Sequence, residues 1–153
     1  MKQVRKSVLL WHPPQAMYAL VVDVESYPVF LPWCDRAEVL ERREDGLTAR
    51  LSLHYAGIRQ SFTTRNVHEP DRSVRLQLVD GPFSTLDGHW LFKPIVLPGG
   101  GTEPTACRIE FELRYAFANR LLEAAISPVF DRIAETFVDS FVKRAVQVHG
   151  ERR

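Results

Sequence analysis

Apolar and polar side chains alternate along much of the middle of the chain. In residues 47–55, 74–78 and 109–117 an apolar side chain occupies every second position, and mostly polar side chains lie between. Successive side chains of a β-strand point to opposite faces, so this period of two predicts strands with one dry face and one wet face. Weaker versions of the pattern occupy residues 3–11, 37–43, 58–68 and 86–93. We therefore expect about seven strands.

Short turns connect most of these strands. Glu44-Asp45-Gly46 and Glu69-Pro70-Asp71 combine residue types that favour turns. Strands joined by short turns pair antiparallel, which predicts a meander. The longest connection runs from Pro94 to Pro104 and has Gly99-Gly100-Gly101 at its centre. Apolar alternation resumes after it, so we interpret it as a long hairpin loop and not as a domain boundary.

Helical periodicity appears towards both ends of the chain. Pro13-Pro14 suits the first turn of a helix, and residues 25–32 predict a second, very short helix or turn. From Asn119, a residue type that favours the N-cap, to about Val148, one apolar stripe predicts a long amphipathic helix. The stripe consists of Leu122, Ile126, Val129, Ile133, Phe137 and Phe141.

The order of these elements predicts an α+β fold. One strand, two short helices and about six further strands precede a single long helix, which must cover the dry face of the sheet. Seven strands span roughly 30 Å and a helix is about 10–12 Å across, so the sheet must curl around the helix. Pro128 predicts a kink near residues 124–128 that favours a pocket beneath the helix. The aromatic residues of segment 27–33 either border that pocket or plug the core.

Composition narrows the possible functions. The 153 residues suit a single domain, 1–153, and 45% hydrophobic with 25% charged residues is typical of a globular chain. A net charge of +1 gives no global field towards nucleic acid, so we expect no specific DNA binding. Cys34 and Cys107 predict plain buried thiols, not a disulfide framework. No run approaches the about 20 apolar residues that span a bilayer, so we expect the cytoplasm.

The pattern gives little support to catalysis. General acid–base catalysis needs a group inside the cavity that titrates near neutral pH, and Tyr55 and Tyr115 on the dry faces titrate too high. His54 falls on a wet face, and the pattern leaves the phase of His89 and Arg65 open. The five histidines have no metal-ligand spacing, and no Ser/His/Asp or Cys/His grouping appears. We therefore expect no catalytic residues, no metal and no enzyme activity.

Four segments resemble the coenzyme-Q-binding START-like family, which is also labelled polyketide cyclase/dehydrase. Ser26–Cys34 resembles its SYPxFLPxC segment, and Phe62–Asn66 is similar to its FTTRN strand. Leu78–Phe92 resembles its DGPFxxLxGxWxF segment, and Ala106–Phe111 is similar to the next strand. Within the family the chain looks most like the bacterial RatA branch. The 94–104 loop, longer than expected, and Pro128 depart from the family pattern.

The resemblance implies a helix-grip (START/Bet v1-like) fold and non-catalytic binding of a hydrophobic ligand. The ligand expected is ubiquinone or a related isoprenoid lipid, bound in support of cellular respiration, with no cofactor required. Transient contact with the surface of the inner membrane fits such a ligand. The alternative, from the RatA branch, is a toxin that binds the large ribosomal subunit and blocks subunit association. Polyketide cyclase/dehydrase activity is a third, less favoured implication.

A quinone with an isoprenoid tail needs a long apolar slot and one or two hydrogen bonds to its carbonyls. Either Trp90 or Tyr55 is expected to reach a ring carbonyl. The sheet residues expected to line the slot are Leu51, Leu53, Tyr55, Leu76, Leu78, Trp90, Phe92, Phe111 and Leu113. The helix residues expected there are Leu122, Ile126, Val129 and Ile133, together with Tyr27, Phe30, Leu31 and Trp33 from the short helical segment.

Basic residues occur near both ends of the chain and have two interpretations. If the first strand and the last helix lie together, these residues form a patch that contacts rRNA phosphates. Alternatively, the cations near the helix end complement the helix dipole and keep the surface solvated. Aromatic residues for base stacking do not interleave with them, so a ribosome role rests on the resemblance alone. The residues are Lys2, Arg5, Lys6, Lys143, Arg144, Arg152 and Arg153.

Overall fold

A computed structural model describes residues 1–96, 98–99 and 104–150. Seven strands form one antiparallel sheet, and its order is β1-β7-β6-β5-β4-β3-β2 when strands are numbered along the chain. Strands β2 to β7 form the predicted meander, and β1 pairs with β7, which the short turns did not predict. The strands are β1 (Lys2–Leu10), β2 (Cys34–Arg43), β3 (Gly46–Tyr55), β4 (Ile58–Glu69), β5 (Ser73–Asp80), β6 (Phe83–Ile95) and β7 (Ala106–Phe117).

Helices occupy the predicted places. The short helices are α1 (Pro14–Val22) and α2 (Tyr27–Phe30), with a 3₁₀ turn (Val24–Ser26) between them. The long helix α3 (Arg120–His149) begins after Asn119, whose Oδ1 accepts a hydrogen bond of 2.8 Å from the backbone N of Leu122, so the predicted N-cap is confirmed. Pro128 lies inside α3, and the kink near it stays a prediction.

The sheet curls around α3 in the helix-grip arrangement, which confirms the expected α+β fold. Pairing registers shift in β2, between Thr63 and Thr64 of β4, and between Phe83 and Thr85 of β6. Such irregularities bend a strand locally and increase its twist. The predicted hairpin connection lies between β6 and β7, but β6 continues to Ile95 and so includes the first two residues of the predicted 94–104 loop. Residues 97 and 100–103 of the connection lie outside the described part of the chain.

Side chains of α3 and the concave sheet face share one core. The buried face of α3 is broader than the predicted stripe: Phe130, Ala134 and Val138 are buried, whereas Leu122 and Val129 are only half-buried. A helix in a globular core buries an arc of 100° or more, so neighbouring rows of side chains face inwards together. The core also encloses both cysteines as free, buried thiols, as predicted.

A polar cluster attaches α3 to the sheet beside Pro128. Lys2 Nζ lies 2.5 Å from Asp131 Oδ2, and the Tyr115 hydroxyl donates to Asp131 Oδ1 at 2.5 Å. Ser127 donates to the same carboxylate at 2.9 Å and also bonds Lys2. Burial alone would raise the pKa of Asp131, but the donors Lys2, Tyr115 and Ser127 outweigh it and lower the pKa. The cluster therefore joins β1, β7 and α3 around one ionised carboxylate.

Candidate functional site

An interior cavity of about 60 Å³ lies between the sheet and α3. Strands β3 to β7 form one wall, α3 forms the opposite wall, and the 3₁₀ turn, α2 and Trp33 close one side. The predicted site residues that line it are Tyr27, Trp33, Leu51, Leu76, Trp90, Phe111, Leu113 and Ile133. The structure thus brings the sheet, the long helix and the short helical segment together at one void.

Aromatic rings fill most of the space around this cavity. The Trp90 ring lies 4.6 Å from the Phe111 ring and 5.7 Å from the Phe137 ring, and Phe137 lies 5.1 Å from Phe141 (centroid distances). Sites for drug-sized ligands measure roughly 300–1,000 Å³, so this cavity is several times smaller. Both alternatives left open by the sequence therefore hold in part: aromatic residues plug the core, and a small void remains.

The other predicted lining residues lie outside the cavity. Tyr55 is 40% exposed at the end of β3, where the chain turns at Ala56 and Gly57, so the idea that it reaches a buried carbonyl is wrong. Alternation identifies the face of a strand but does not show which part of that face borders a void. The remaining residues pack in the core or at its margin: Phe30, Leu31, Leu53, Leu78, Phe92, Leu122, Ile126 and Val129.

Strand β4 contributes residues that the sequence analysis missed. Phe62, Thr64 and Asn66 are buried at alternate positions and line the cavity. The alternation of buried positions could have identified these residues. It was hard to see because Thr64 and Asn66 are polar. Thr63, beside the register shift, is buried as well, which interrupts the alternation. Polar residues on a dry face conceal the period of two. The other unpredicted lining residues are Val24, Ala49, Leu86, Phe130, Ala134 and Phe137.

Polar groups are few in the lining and are buried. Thr64 Oγ1 donates a 2.7 Å hydrogen bond to Asn66 Oδ1. Trp33 is 5% exposed, and its Nε1 has no hydrogen-bond partner among the described residues. An unpaired buried donor costs about 1–3 kcal/mol, so such a group is unusual in a folded protein.

The described residues that line the cavity include no charged side chain. Tyr27 is the titratable residue among them, and its hydroxyl donates to the carbonyl of Val21 at 2.5 Å. Burial raises the pKa of Tyr27 far above its ordinary value, so its phenol stays protonated. Among the described residues that line the cavity, none therefore exchanges a proton near neutral pH.

The residues whose orientation the pattern left open lie elsewhere. Arg65 is exposed, and His89 sits between buried Gly88 and Trp90, so its side chain faces away from the core. Burial lowers the pKa of His89, as does the neighbouring Arg75.

Within the described ranges, no group of three or more His, Cys, Asp or Glu side chains could hold a metal ion. No α-helix in that part of the chain is long and apolar enough to cross a bilayer.

The basic residues that the structure describes are spread along the contact between β1 and α3. Lys2 is paired with Asp131, and Arg5 Nε lies 3.6 Å from a carboxylate oxygen of Glu112. Lys143 follows Asp131 by twelve residues, which is about 18 Å along a helix. The first strand and the last helix do lie together, but Lys2 is paired about three turns of α3 away from Lys143.

The basic end of α3 lies beside α2 instead. Lys143 and Arg144 border a surface groove with Phe30, and the Arg144 guanidinium carbon lies 5.4 Å from the centre of the Phe30 ring. This arrangement places two cations next to the segment that closes the cavity. The remaining basic residues of the predicted patch, Arg152 and Arg153, lie outside the described residues.

Two relatives are similar to this chain over nearly its whole length. Ribosome association toxin RatA of Escherichia coli strain K12 is 40% identical over 152 residues, covering 99% of this chain and 92% of the relative. Coenzyme Q-binding protein COQ10 homolog B, mitochondrial, of Xenopus laevis is 28% identical over 146 residues, covering 95% of this chain and 58% of the relative. The similarity to both agrees with the resemblance of the segments around Pro28, Thr63 and Gly88.

Solved structures show the same fold at low sequence identity. A START superfamily protein from Mycobacterium smegmatis superposes with a TM-score of 0.77 at 18% identity, covering 95% of this chain and 98% of that one. Zhui aromatase/cyclase from Streptomyces sp. R1128 gives a TM-score of 0.74 at 18% identity, covering 97% and 96%. At this identity the likeness establishes the fold alone.

The family model described as polyketide cyclase / dehydrase and lipid transport matches residues 10–142. The matched range contains strands β2 to β7 and most of α3. Most of β1 lies outside it. The chain therefore belongs to the polyketide cyclase/dehydrase and lipid-transport family and has its START-like fold.

Proposed function

We propose that residues 1–153 act as one non-catalytic domain that binds a hydrophobic ligand between the sheet and α3. The ligand proposed is an isoprenoid quinone such as ubiquinone, or a related lipid, bound in support of respiration. The observation that carries the proposal is the interior cavity, whose lining is apolar except for a few buried polar groups. Burial of apolar surface contributes about 25 cal/mol per Å², so a long tail supplies affinity by itself.

The cavity must enlarge to admit such a ligand. Its 60 Å³ are far below the volume of a ligand site for a molecule with a ring and a tail. Phe137 belongs to the lining, yet it is only half-buried, unlike Trp90 and Phe111 around it. We infer that displacement of the Phe137 ring on α3 enlarges the cavity. The isoprenoid tail of the ligand then occupies the space that the ring leaves.

The comparisons support binding rather than chemistry. The Xenopus laevis relative carries coenzyme Q binding in its name. The lining residues that the structure describes include no acid or base that titrates near neutral pH. A cyclase or dehydrase needs such a group, so that activity is less well supported even though the family name includes it. The proposed setting is the cytoplasm, with transient contact with a membrane surface while the ligand is exchanged.

Native mass spectrometry of the purified protein, with solvent extraction of what it carries, tests the proposal. We expect an added mass that matches a quinone or lipid. Leu51→Glu places a charge in the lining and should abolish that mass, whereas Leu40→Glu, at a 47% exposed leucine of β2, should leave it unchanged. Protein that carries no lipid and refuses added quinone would contradict the proposal.

Leu51→Glu can also unfold the protein, so a second pair of variants uses apolar substitutions. Ala134→Leu fills space at the cavity wall, and Ala125→Leu makes the same change at an exposed position of α3. We expect loss of bound ligand in the first variant only, with both variants folded by circular dichroism.

Ribosome association is a second candidate, favoured by 40% identity to Ribosome association toxin RatA over 99% of this chain. In this candidate the chain is a toxin that binds the large ribosomal subunit and blocks subunit association. Lys143 and Arg144 then contact rRNA phosphates, and binding weakens steeply with salt. Co-sedimentation with large subunits should be lost in Lys143→Glu/Arg144→Glu and retained in Arg120→Glu/Arg132→Glu, which has the same net charge.

A further inference from the structure

We propose that the ligand of this cavity is a neutral molecule with a carbonyl-type oxygen, and that this oxygen accepts the hydrogen of Trp33 Nε1. The Thr64–Asn66 pair supplies a second polar contact. This inference rests on the ligand-binding function proposed above and narrows its chemistry. It separates neutral quinones, ketones and esters from fatty acids, phospholipids and plain hydrocarbons.

The backbone of Trp33 is anchored to β3. Its backbone carbonyl accepts a 2.8 Å hydrogen bond from the N of His54, and the next residue, Cys34, pairs with Leu53 of β3. Its ring centre lies 6.1 Å from that of Phe137. An indole N–H can only donate, so the partner that it lacks must be an acceptor. A ligand oxygen at this position removes the cost of the unpaired donor and gains a hydrogen bond in an apolar site.

Thr64 and Asn66 form the second polar element of the lining. They are 6% and 5% exposed, and they bond each other while the residues around them are apolar. An asparagine amide has two donor hydrogens and further acceptor capacity at its oxygen, so the bond to Thr64 leaves much of Asn66 available. Asn66 pairs with Leu47 at the start of β3, whereas Trp33 bonds His54 near its end, so the two polar elements approach the cavity from different ends of the strand.

The charge of the lining decides between classes of polar head group. A carboxylate or phosphate buried here would face no cation among the described lining residues. An unpaired charge in an apolar site is far more costly than an unpaired amide or hydroxyl. A neutral carbonyl needs only donors, and the indole N–H and the Asn66 amide provide them. The lining therefore matches a neutral acceptor.

Three probes of similar tail length test this chemistry: decylubiquinone, decylbenzene and decanoate. We expect decylubiquinone to bind most tightly and decanoate least. Trp33→Phe keeps an aromatic ring but removes the N–H together with part of the indole, so decylbenzene serves to measure the loss of packing. The affinity for decylubiquinone should fall about 5- to 10-fold more than the affinity for decylbenzene. Trp11→Phe, at a 43% exposed tryptophan, is the matched control and should alter neither affinity.

Nuclear magnetic resonance of the indole N–H groups gives a readout that needs no destabilising change. The chain has three tryptophans, and the two variants above assign Trp33 and Trp11. We expect decylubiquinone, and not decylbenzene, to move the Trp33 signal downfield as the hydrogen bond forms.

The outcomes separate this inference from the proposed function. If none of the three probes binds, the ligand-binding function fails. If decylubiquinone binds wild type and Trp33→Phe equally without moving the Trp33 signal, the function stands and the inference is overturned. Preferred binding of decanoate would likewise overturn it, since an anion would then be accommodated.

Discussion

At the scale of single residues, Asp131 shows how one carboxylate positions the wall of the site. It accepts hydrogen bonds from Lys2, Tyr115 and Ser127, and these donors come from two strands and from α3 itself. Its pKa is lowered although burial opposes the change. A group whose pKa falls on folding stabilises the native state above its unfolded pKa of about 3.9 and loses that contribution as the pH falls through the folded pKa.

Asp131→Asn should therefore destabilise the protein near neutral pH and much less in acid. About a third of the side chain is exposed, so solvent screening reduces the effect and we expect roughly 1 kcal/mol. Urea unfolding at pH 7 should show this difference between variant and wild type, and the difference should shrink below about pH 4. Asp139→Asn, on an exposed part of α3, is the matched control and should leave the free energy of unfolding at pH 7 almost unchanged. A constant difference across this range would contradict the role given to the ionised carboxylate.

Gly46, which begins β3, offers a second test at residue scale. Its φ is 154°, and a Cβ there would lie 2.0 Å from the backbone carbonyl oxygen of Asn66. Gly57 also has positive φ, 82°, but a Cβ there would meet nothing within 4 Å. We expect Gly57→Ala to cost about 1 kcal/mol from backbone strain alone, and Gly46→Ala to cost at least about 3 kcal/mol because backbone must also move. Equal losses in urea unfolding would show that the close contact is relieved cheaply.

The alternation of apolar and polar residues predicts the orientation of some side chains and not of others. The pattern correctly identified Leu51, Phe111 and Leu113 as inward-facing, because the side-chain period of a strand is two. It failed for Tyr55, the last residue of β3, and it passed over Asn66, where a polar residue faces inwards. In both cases the neighbours in space, not those in sequence, decide the environment.

At the scale of elements, the start of α3 was predicted more accurately than its buried face. Its start was predictable because Asn119 is chemically suited to capping, and the contact with the N of Leu122 follows from that chemistry. Its buried arc was predicted less accurately, since Phe130 and Ala134 line the cavity but lie beside the predicted stripe. A long helix offers several adjacent apolar rows, and only the curvature of the sheet decides how many are covered.

Removal of the N-cap tests how much Asn119 contributes to the free energy of unfolding. Asn119→Ala should cost about 1 kcal/mol in urea unfolding, because the backbone N of Leu122 loses its acceptor. Asn119→Asp retains an acceptor and adds a negative charge at the positive end of the helix dipole, so it should cost little or nothing. A loss as large for Asn119→Asp as for Asn119→Ala would mean that the residue acts through packing instead.

At the scale of the whole molecule, the fold was predictable and the volume of the cavity was not. One amphipathic helix and about seven half-dry strands leave few arrangements other than a curled sheet on a helix. Whether space remains depends on how closely rings such as Trp90, Phe111 and Phe137 pack, and no periodicity encodes those distances. A cavity of 60 Å³ is what remains after that packing. The remaining volume is therefore a property of the assembled core.

The composition of the whole lining leads to a last prediction, which separates binding from catalysis. Tyr27 is the titratable side chain among the described lining residues, and its raised pKa keeps it protonated through the neutral range. The affinity for a neutral probe such as decylubiquinone should therefore change less than about twofold between about pH 6 and 9, measured by quenching of tryptophan fluorescence. Tyr27→Phe should preserve this flat profile, because the phenol is not the source of any proton. A bell-shaped profile would instead reveal titratable groups linked to binding. It would contradict this prediction and remove the argument against the cyclase/dehydrase alternative.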